Sequence, residues 1–72
     1  MNNDELKEKI KNLKKDQECT VNWFDGGGGL IRREGSLLNL YEVPQYGGMK
    51  IFYDSFKDSE IDEIIKICET WT

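Results

Sequence analysis

Residues 18–43, "ECTVNWFDGGGGLIRREGSLLNLYEV", decide the fold, because short stretches rich in apolar, strand-forming residues are separated in them by glycine-containing stretches typical of turns. Within residues 18–24 the side chains of Cys19, Val21 and Trp23 share one face of a half-buried strand. "LIRRE" and "LLNLYEV" continue this pattern, and the Gly-Ser pair between them predicts a tight turn. A fourth strand, "MKIFYDSF", follows the connection "PQYGG". The pattern predicts four antiparallel strands joined as a meander.

The N-terminal segment before this meander predicts a helix. Leu6, Ile10 and Leu13 recur at helical spacing and form a narrow apolar stripe. Asn2 is placed to cap the helix start, with Glu5 three residues further on as in a capping box. Three apolar residues predict a helix that docks only lightly on the sheet.

The C-terminal segment predicts a second, more strongly amphipathic helix. Asp58 or Ser59 is expected to cap it, because short oxygen-bearing side chains accept from free N–H groups at a helix start. One face of this helix carries Ile61, Ile64, Ile65, Cys68 and Trp71. The expected fold is therefore a single α+β domain over residues 1–72: an N-terminal helix, a four-stranded antiparallel meander and a C-terminal helix.

The glycine run Gly26–Gly29 admits two interpretations. Phosphate-binding loops use glycines so that backbone N–H groups close on an anion, usually at a helix N-terminus. Here the run joins two strands and Asp25 precedes it, which favours a flexible hairpin tip. The alternative is a module that binds a small anion or nucleotide with this loop and the side chains of Arg32 and Arg33.

The residue types that usually support catalysis or metal binding are scarce in this chain. There is no histidine, and Cys19 and Cys68 are the only cysteines, so a zinc site lacks ligands and a nucleophile lacks its ordinary base. The two thiols are expected to be buried and free. Helix capping accounts for the acids of "DSEIDE" without calcium. We therefore expect no enzyme activity, no cofactor and no metal.

The charge pattern bears on partners. The formal net charge is −4, and residues 18–72 carry ten acidic against five basic side chains. Binding to nucleic acid depends on cationic side chains that neutralise phosphates, so a basic protein is the better expected partner. The chain shows no membrane span and no signal peptide, which favours a cytoplasmic location.

The sheet carries more large apolar residues than one face needs. If both helices cover the same face, the other face exposes an apolar patch, which usually marks an interface. One helix on each face would instead bury the surplus. A chain of 72 residues has a small core, so a second copy is also a candidate partner. The expected interface residues are Trp23, Phe24, Tyr41, Tyr46, Phe52, Asp54, Asp58, Glu60 and Glu63.

The segment "YEVPQYGG", residues 41–48, and the terminal Trp71-Thr72 resemble short uncharacterised proteins carried by bacterial phages and mobile elements. The size, the charge and the helix–sheet–helix layout are similar in style to anti-CRISPR proteins and other phage-encoded inhibitors. This resemblance implies a non-catalytic inhibitor that binds a host protein, and it assigns no functional residue. A structural subunit or an immunity-type protein is the alternative in the same class.

Overall fold

The computed structural model describes residues 3–46 and 48–71. The elements are α1 (Asn3–Lys11), β1 (Glu18–Phe24), β2 (Gly27–Glu34), β3 (Leu37–Val43), β4 (Ile51–Phe56) and α2 (Ile61–Glu69), and a 3-10 turn, Asp58–Glu60, leads into α2. All neighbouring strands are antiparallel and their order is β1-β2-β3-β4. The predicted α+β fold is confirmed. The expectations for Asn2, Gly47 and Thr72 lie outside the described residues.

Both helices pack on the same face of the sheet. Cys19, Ile31 and Leu40 are cross-strand neighbours on β1, β2 and β3, so their side chains share a face, and all three are buried. They belong to the same core cluster as Ile10 of α1 and the isoleucines of α2. Among the residues that the structure describes, the buried apolar side chains are those of Ile10, Cys19, Val21, Ile31, Leu38, Leu40, Phe56, Ile61, Ile64, Ile65 and Cys68. The apolar face predicted for the C-terminal helix is thus confirmed at Ile61, Ile64, Ile65 and Cys68.

The glycine run is mostly strand, which corrects the predicted flexible tip over Gly26–Gly29. Asp25 and Gly26 form the turn between β1 and β2, and both have positive φ, 52° and 78°, as a type I′ hairpin turn requires. The next three glycines begin β2 and lie close to other atoms. A Cβ on Gly29 would lie 2.6 Å from Cys68 Sγ, and one on Gly28 would lie 2.5 Å from Asn22 O. Glycine is needed here for close approach.

Strand β1 departs from simple alternation, which corrects the predicted face of Cys19, Val21 and Trp23. The pairing with β2 shifts between Val21 and Phe24, and Asn22 has φ 54°. The Asn22 side-chain amide donates a hydrogen bond to Cys68 O at 2.9 Å. This bulge leaves Trp23 42% exposed, whereas Cys19 and Val21 are buried.

The start of α2 also differs from the prediction, because neither Asp58 nor Ser59 caps it. Both residues lie in the 3-10 turn before α2, and the Lys57 backbone N–H donates to Glu60 Oε1 at 2.9 Å. The Asp58 carboxylate accepts hydrogen bonds from Arg33 instead. The Asp58 side chain, which the local sequence predicts to cap the helix, is therefore bound by Arg33 from a distant part of the chain.

Candidate protein-binding face

The face of the sheet that points away from the helices, here called the open face, carries a row of side chains across all four strands. Thr20, Leu30, Tyr41 and Phe52 are successive cross-strand partners, one from each strand. Leu30 lies next to the buried Ile31 and therefore points to the opposite face. Leu30 and Tyr41 are half-buried, and Phe52 is 54% exposed. The sheet alone shields these apolar groups.

Tyr41 and Phe52 form the aromatic part of this row. Their ring centroids are 5.7 Å apart with an interplanar angle of 71°, an edge-to-face arrangement. The ammonium group of Lys50 lies 4.7 Å from the centroid of the Tyr41 ring, within cation–π range. These contacts hold the two rings in a defined geometry while leaving much of Phe52 in solvent.

Charged side chains border the row where β1 begins. The Arg32 guanidinium contacts Asp16 at 3.3 Å, Glu18 at 3.0 Å and Glu34 at 2.8 Å. The hydrogen bond that Arg32 donates to Glu18, and to a smaller extent the one to Glu34, raise the pKa of Arg32 above its ordinary value. Lys50 Nζ lies 3.9 Å from Glu18, so three carboxylates surround two cations and this border has a net charge of −1.

The structure separates the apolar residues predicted for the interface into three places. Tyr41 and Phe52 lie on the open face. Phe24 and Tyr46 lie at the end of the sheet formed by the β1–β2 turn, where the Tyr46 hydroxyl contacts Asp25 Oδ2 at 3.3 Å. Trp23 lines a groove of about 530 Å³ between β1 and the two helices. Two of the five predicted apolar residues therefore form one surface.

The four predicted acidic residues lie away from the open face. Asp54 is opposite Leu40, whose side chain points towards the helices. Asp58 binds Arg33, and Glu60 accepts from the Lys57 N–H. Glu63 is exposed on α2. Asp58 and Glu60 thus have structural partners, and the Asp54 carboxylate accepts a hydrogen bond from the Ser55 backbone N–H at 2.8 Å. Glu63 projects from the surface on the helix side.

Sequence reasoning missed Leu30 and Lys50 as members of the open face. The signal for Leu30 is its place in β2, where buried and partly buried residues alternate from Gly27 onward. That alternation is visible only when the glycines are assigned to the strand. Lys50 precedes β4 by one residue and contacts Tyr41 across the sheet, which local sequence does not reveal.

Neither arginine is positioned to serve an anion at the glycine turn. Arg33 is 6% exposed and donates to Asp58, to Leu13 O at 3.0 Å and to Lys11 O at 3.2 Å. The Arg32 side chain points to the opposite face of β2, where it binds the three carboxylates described above. An anion would have to displace these partners, so the geometry disfavours the anion-binding alternative.

The two thiols offer little reactivity. Cys19 and Cys68 are free and buried, as predicted. Burial raises the pKa of Cys68 to about 12, with a smaller contribution from the negative charge of a Cys19 thiolate. Burial also raises the pKa of Cys19. Thiolate is the nucleophilic form of cysteine, so a raised pKa disfavours nucleophilic reactions of both groups near neutral pH.

Within residues 3–46 and 48–71, no cluster of three or more Cys, Asp or Glu side chains could hold a metal ion. No helix in the same ranges is both long and apolar enough to span a bilayer. Comparison with known proteins finds no matching family model, no matching curated protein and no matching solved structure.

Proposed function

We propose that this protein is a non-catalytic protein-binding module and that its open face is the docking surface. The observation that carries the proposal is the packing of both helices on one face, which leaves Leu30, Tyr41 and Phe52 together on the other. Aromatic residues held in a fixed geometry are typical anchors of protein interfaces, because burying them adds contact area at little entropic cost. Phe52 is the expected anchor, since it is the most exposed of the three.

The charge of the molecule favours a basic partner. The border around Arg32 is net negative, and the whole chain carries −4. Complementary charge steers encounter and orients a partner more than it adds affinity. A cationic protein would therefore approach the open face readily, and its apolar residues would then contact Tyr41 and Phe52.

A narrower form of the proposal is a phage-type inhibitor of a host protein that handles nucleic acid. In that case exposed acids stand in for phosphates in a basic groove, and Asp54 and Glu63 are two predicted acids that are exposed on the helix side. The variant Asp54→Lys/Glu63→Lys should then lose the host protein while keeping its fold. Unchanged binding would contradict the hypothesis of an inhibitor that mimics phosphates, but it would not contradict the general proposal of a protein-binding module.

A comparative pull-down tests the proposal directly. The immobilised protein is compared with Phe52→Ser, which removes the anchor, and with the control Phe24→Ser, which removes a somewhat more exposed ring at the end of the sheet. We expect a protein captured by the wild type and by the control but lost with Phe52→Ser, by about tenfold or more. Equal capture by all three variants would contradict the open face as the docking surface.

A further inference from the structure

We infer that the open face contains a binding site for one arginine side chain of a basic partner, and that Lys50 occupies this site in the free protein. The site, here called the cation site, consists of the Glu18 carboxylate and the ring of Tyr41, with Phe52 beside them. The inference rests on the proposed function, because it names the chemistry by which the open face recognises its partner.

The free protein already places an ammonium group in the cation site. Lys50 Nζ lies 4.7 Å from the centroid of the Tyr41 ring and 3.9 Å from Glu18 Oε2. The face of an aromatic ring and a carboxylate both attract a positive charge. The contacts of Lys50 therefore identify the ligand class of the site as a cationic side chain.

The Lys50 side chain crosses the open face to make these contacts. Glu18 is the first residue of β1, Tyr41 is in β3, and Lys50 directly precedes β4. The strand order places β2 and β3 between β1 and β4, so a flat sheet would keep the axes of β1 and β4 about 14 Å apart. The ammonium group thus lies above the middle of the sheet, where a partner on the open face would dock.

Lys50 can leave the cation site without disturbing the sheet. It lies in the connection between β3 and β4, outside the paired residues of both strands. The Lys50 side chain is 47% exposed and that of Glu18 is 37% exposed. Exposed ion pairs and exposed cation–π contacts are both weak. The ammonium is therefore held loosely enough for another cation to replace it.

The charge around the site favours a cation as the replacement. Glu18 also binds Arg32, which contacts Asp16 and Glu34 as well. When Lys50 leaves, three carboxylates face one guanidinium, so the net charge of this border changes from −1 to −2. A cationic side chain of the partner restores the original balance, whereas a neutral or anionic one does not.

Arginine fits the cation site better than the lysine that occupies it. A planar guanidinium stacks on aromatic rings and is more weakly hydrated than an ammonium group. It can also bridge both oxygens of a carboxylate, whereas Lys50 and Arg32 both contact the same Glu18 oxygen, Oε2. The Phe52 ring, edge-to-face with Tyr41 at 5.7 Å, offers an apolar wall for the arginine stem. Exchange of Lys50 for a partner's arginine therefore keeps the charge balance and improves the contacts.

Titration with n-butylguanidinium, a mimic of the arginine side chain, tests this inference through the NMR signals of the Tyr41 ring at constant ionic strength. Lys50→Met removes the ammonium but keeps an apolar stem. It should bind the mimic about fivefold more tightly than the wild type does, because the mimic no longer competes with two weak contacts. The double variant Lys50→Met/Glu18→Gln should lose this gain.

Two controls separate the cation site from general effects of charge and apolar contact. Lys66→Met makes the same charge change as Lys50→Met on the exposed side of α2, so it should bind the mimic as the wild type does. Uncharged n-butylurea has the shape of the mimic and should leave the Tyr41 signals unchanged. In the free wild type, the ring current of Tyr41 should shift the Lys50 protons next to the ammonium upfield.

Four results would each overturn the inference. They are unshifted Lys50 protons, Lys50→Met that binds no more tightly than Lys66→Met, a gain that survives Glu18→Gln, and n-butylurea that moves the Tyr41 signals as the cation does. Circular dichroism of each variant shows that its fold is retained. Partner capture through Phe52 together with any of these results would contradict the cation site alone. Equal capture with Phe52→Ser would contradict the docking surface even where the mimic binds.

Discussion

Arg33 is a charged side chain in a small apolar core, and its hydrogen bonds explain how the fold accommodates it. The guanidinium binds Asp58 and the carbonyl oxygens of Leu13 and Lys11. These bonds join the C-terminal end of α1 and the residues after it, strand β2, and the turn before α2. A buried charge is tolerated when its donors are satisfied in this way. Among the described residues, no buried side-chain nitrogen or oxygen lacks a hydrogen-bond partner.

Replacing Arg33 should therefore destabilise the fold much more than replacing its neighbour. Arg33→Met leaves two carbonyl groups and the half-exposed Asp58 without their donor, and we expect a loss of about 2–3 kcal/mol in the free energy of unfolding. Arg32→Met removes only surface ion pairs and should cost less than about 1 kcal/mol. Urea denaturation of both variants measures the difference, and equal losses would contradict the structural role of Arg33.

The sequence indicates that Arg33 lies within a strand but not that its side chain turns inward. That orientation follows from the register of β2, which begins at Gly27 and puts Arg33 on the same face as Ile31. The partner Asp58 lies 25 residues away along the chain. Local patterns assign Asp58 to a helix cap, and only the packed fold shows that it pairs with Arg33.

At the scale of elements, β2 shows how a glycine-rich segment becomes a central strand. Glycine is poor at stabilising a strand on entropic grounds, so propensity alone predicts a loop over Gly26–Gly29. The absence of side chains lets α2 approach β2, and Cys68 packs where the Cβ of residue 29 would lie. Tertiary packing therefore overrides local propensity in this strand.

This packing predicts strong coupling between Gly29 and Cys68. Gly29→Ala introduces a Cβ that would lie 2.6 Å from Cys68 Sγ, and we expect a loss of about 1–3 kcal/mol in unfolding free energy. Cys68→Ala removes the sulfur and leaves a small cavity, with a separate loss of about 1 kcal/mol. The double variant should be more stable than the sum of the two losses implies, by about 1 kcal/mol or more.

A thermodynamic double-mutant cycle from chemical denaturation measures this coupling. Additive losses, within the error of a few tenths of a kcal/mol, would show that Gly29 and Cys68 do not meet. That result would indicate that the glycine run is the loop that sequence propensity predicts, and that α2 does not pack against β2 at Gly29.

The elements whose local pattern agrees with their packing could be predicted from sequence. The apolar spacing of Ile61, Ile64, Ile65 and Cys68 matches the face that α2 buries. Strand β3 agrees equally well, and the turn at Gly35-Ser36 lies where the sequence places it. Departures occur in β1, where Asn22 adopts a left-handed conformation, and in β2, where glycines allow a close approach to other atoms. A further departure precedes α2, where Asp58 binds Arg33 and does not cap the helix.

At the scale of the whole molecule, the central feature is a sheet with one packed face and one open face. The sequence predicts a surplus of apolar residues on the sheet, but it leaves open whether both helices cover one face or each helix covers a different face. The position of Ile10 with the α2 isoleucines in one cluster shows that both helices lie on the same side. Of the predicted interface residues, Tyr41 and Phe52 share the open face, because the strand register decides which distant residues become neighbours.

The proposed function depends on this arrangement, and hydroxyl-radical footprinting of the dilute protein tests it most directly. Phe52 and Phe56 belong to the same strand, but one lies on the open face and the other in the core, with exposed fractions of 54% and 7%. We expect Phe52 to be oxidised about five to ten times faster than Phe56, in line with these exposures. Equal protection of Phe52 and Phe56 would mean that the second face of the sheet is covered, and it would contradict the open face as a binding surface.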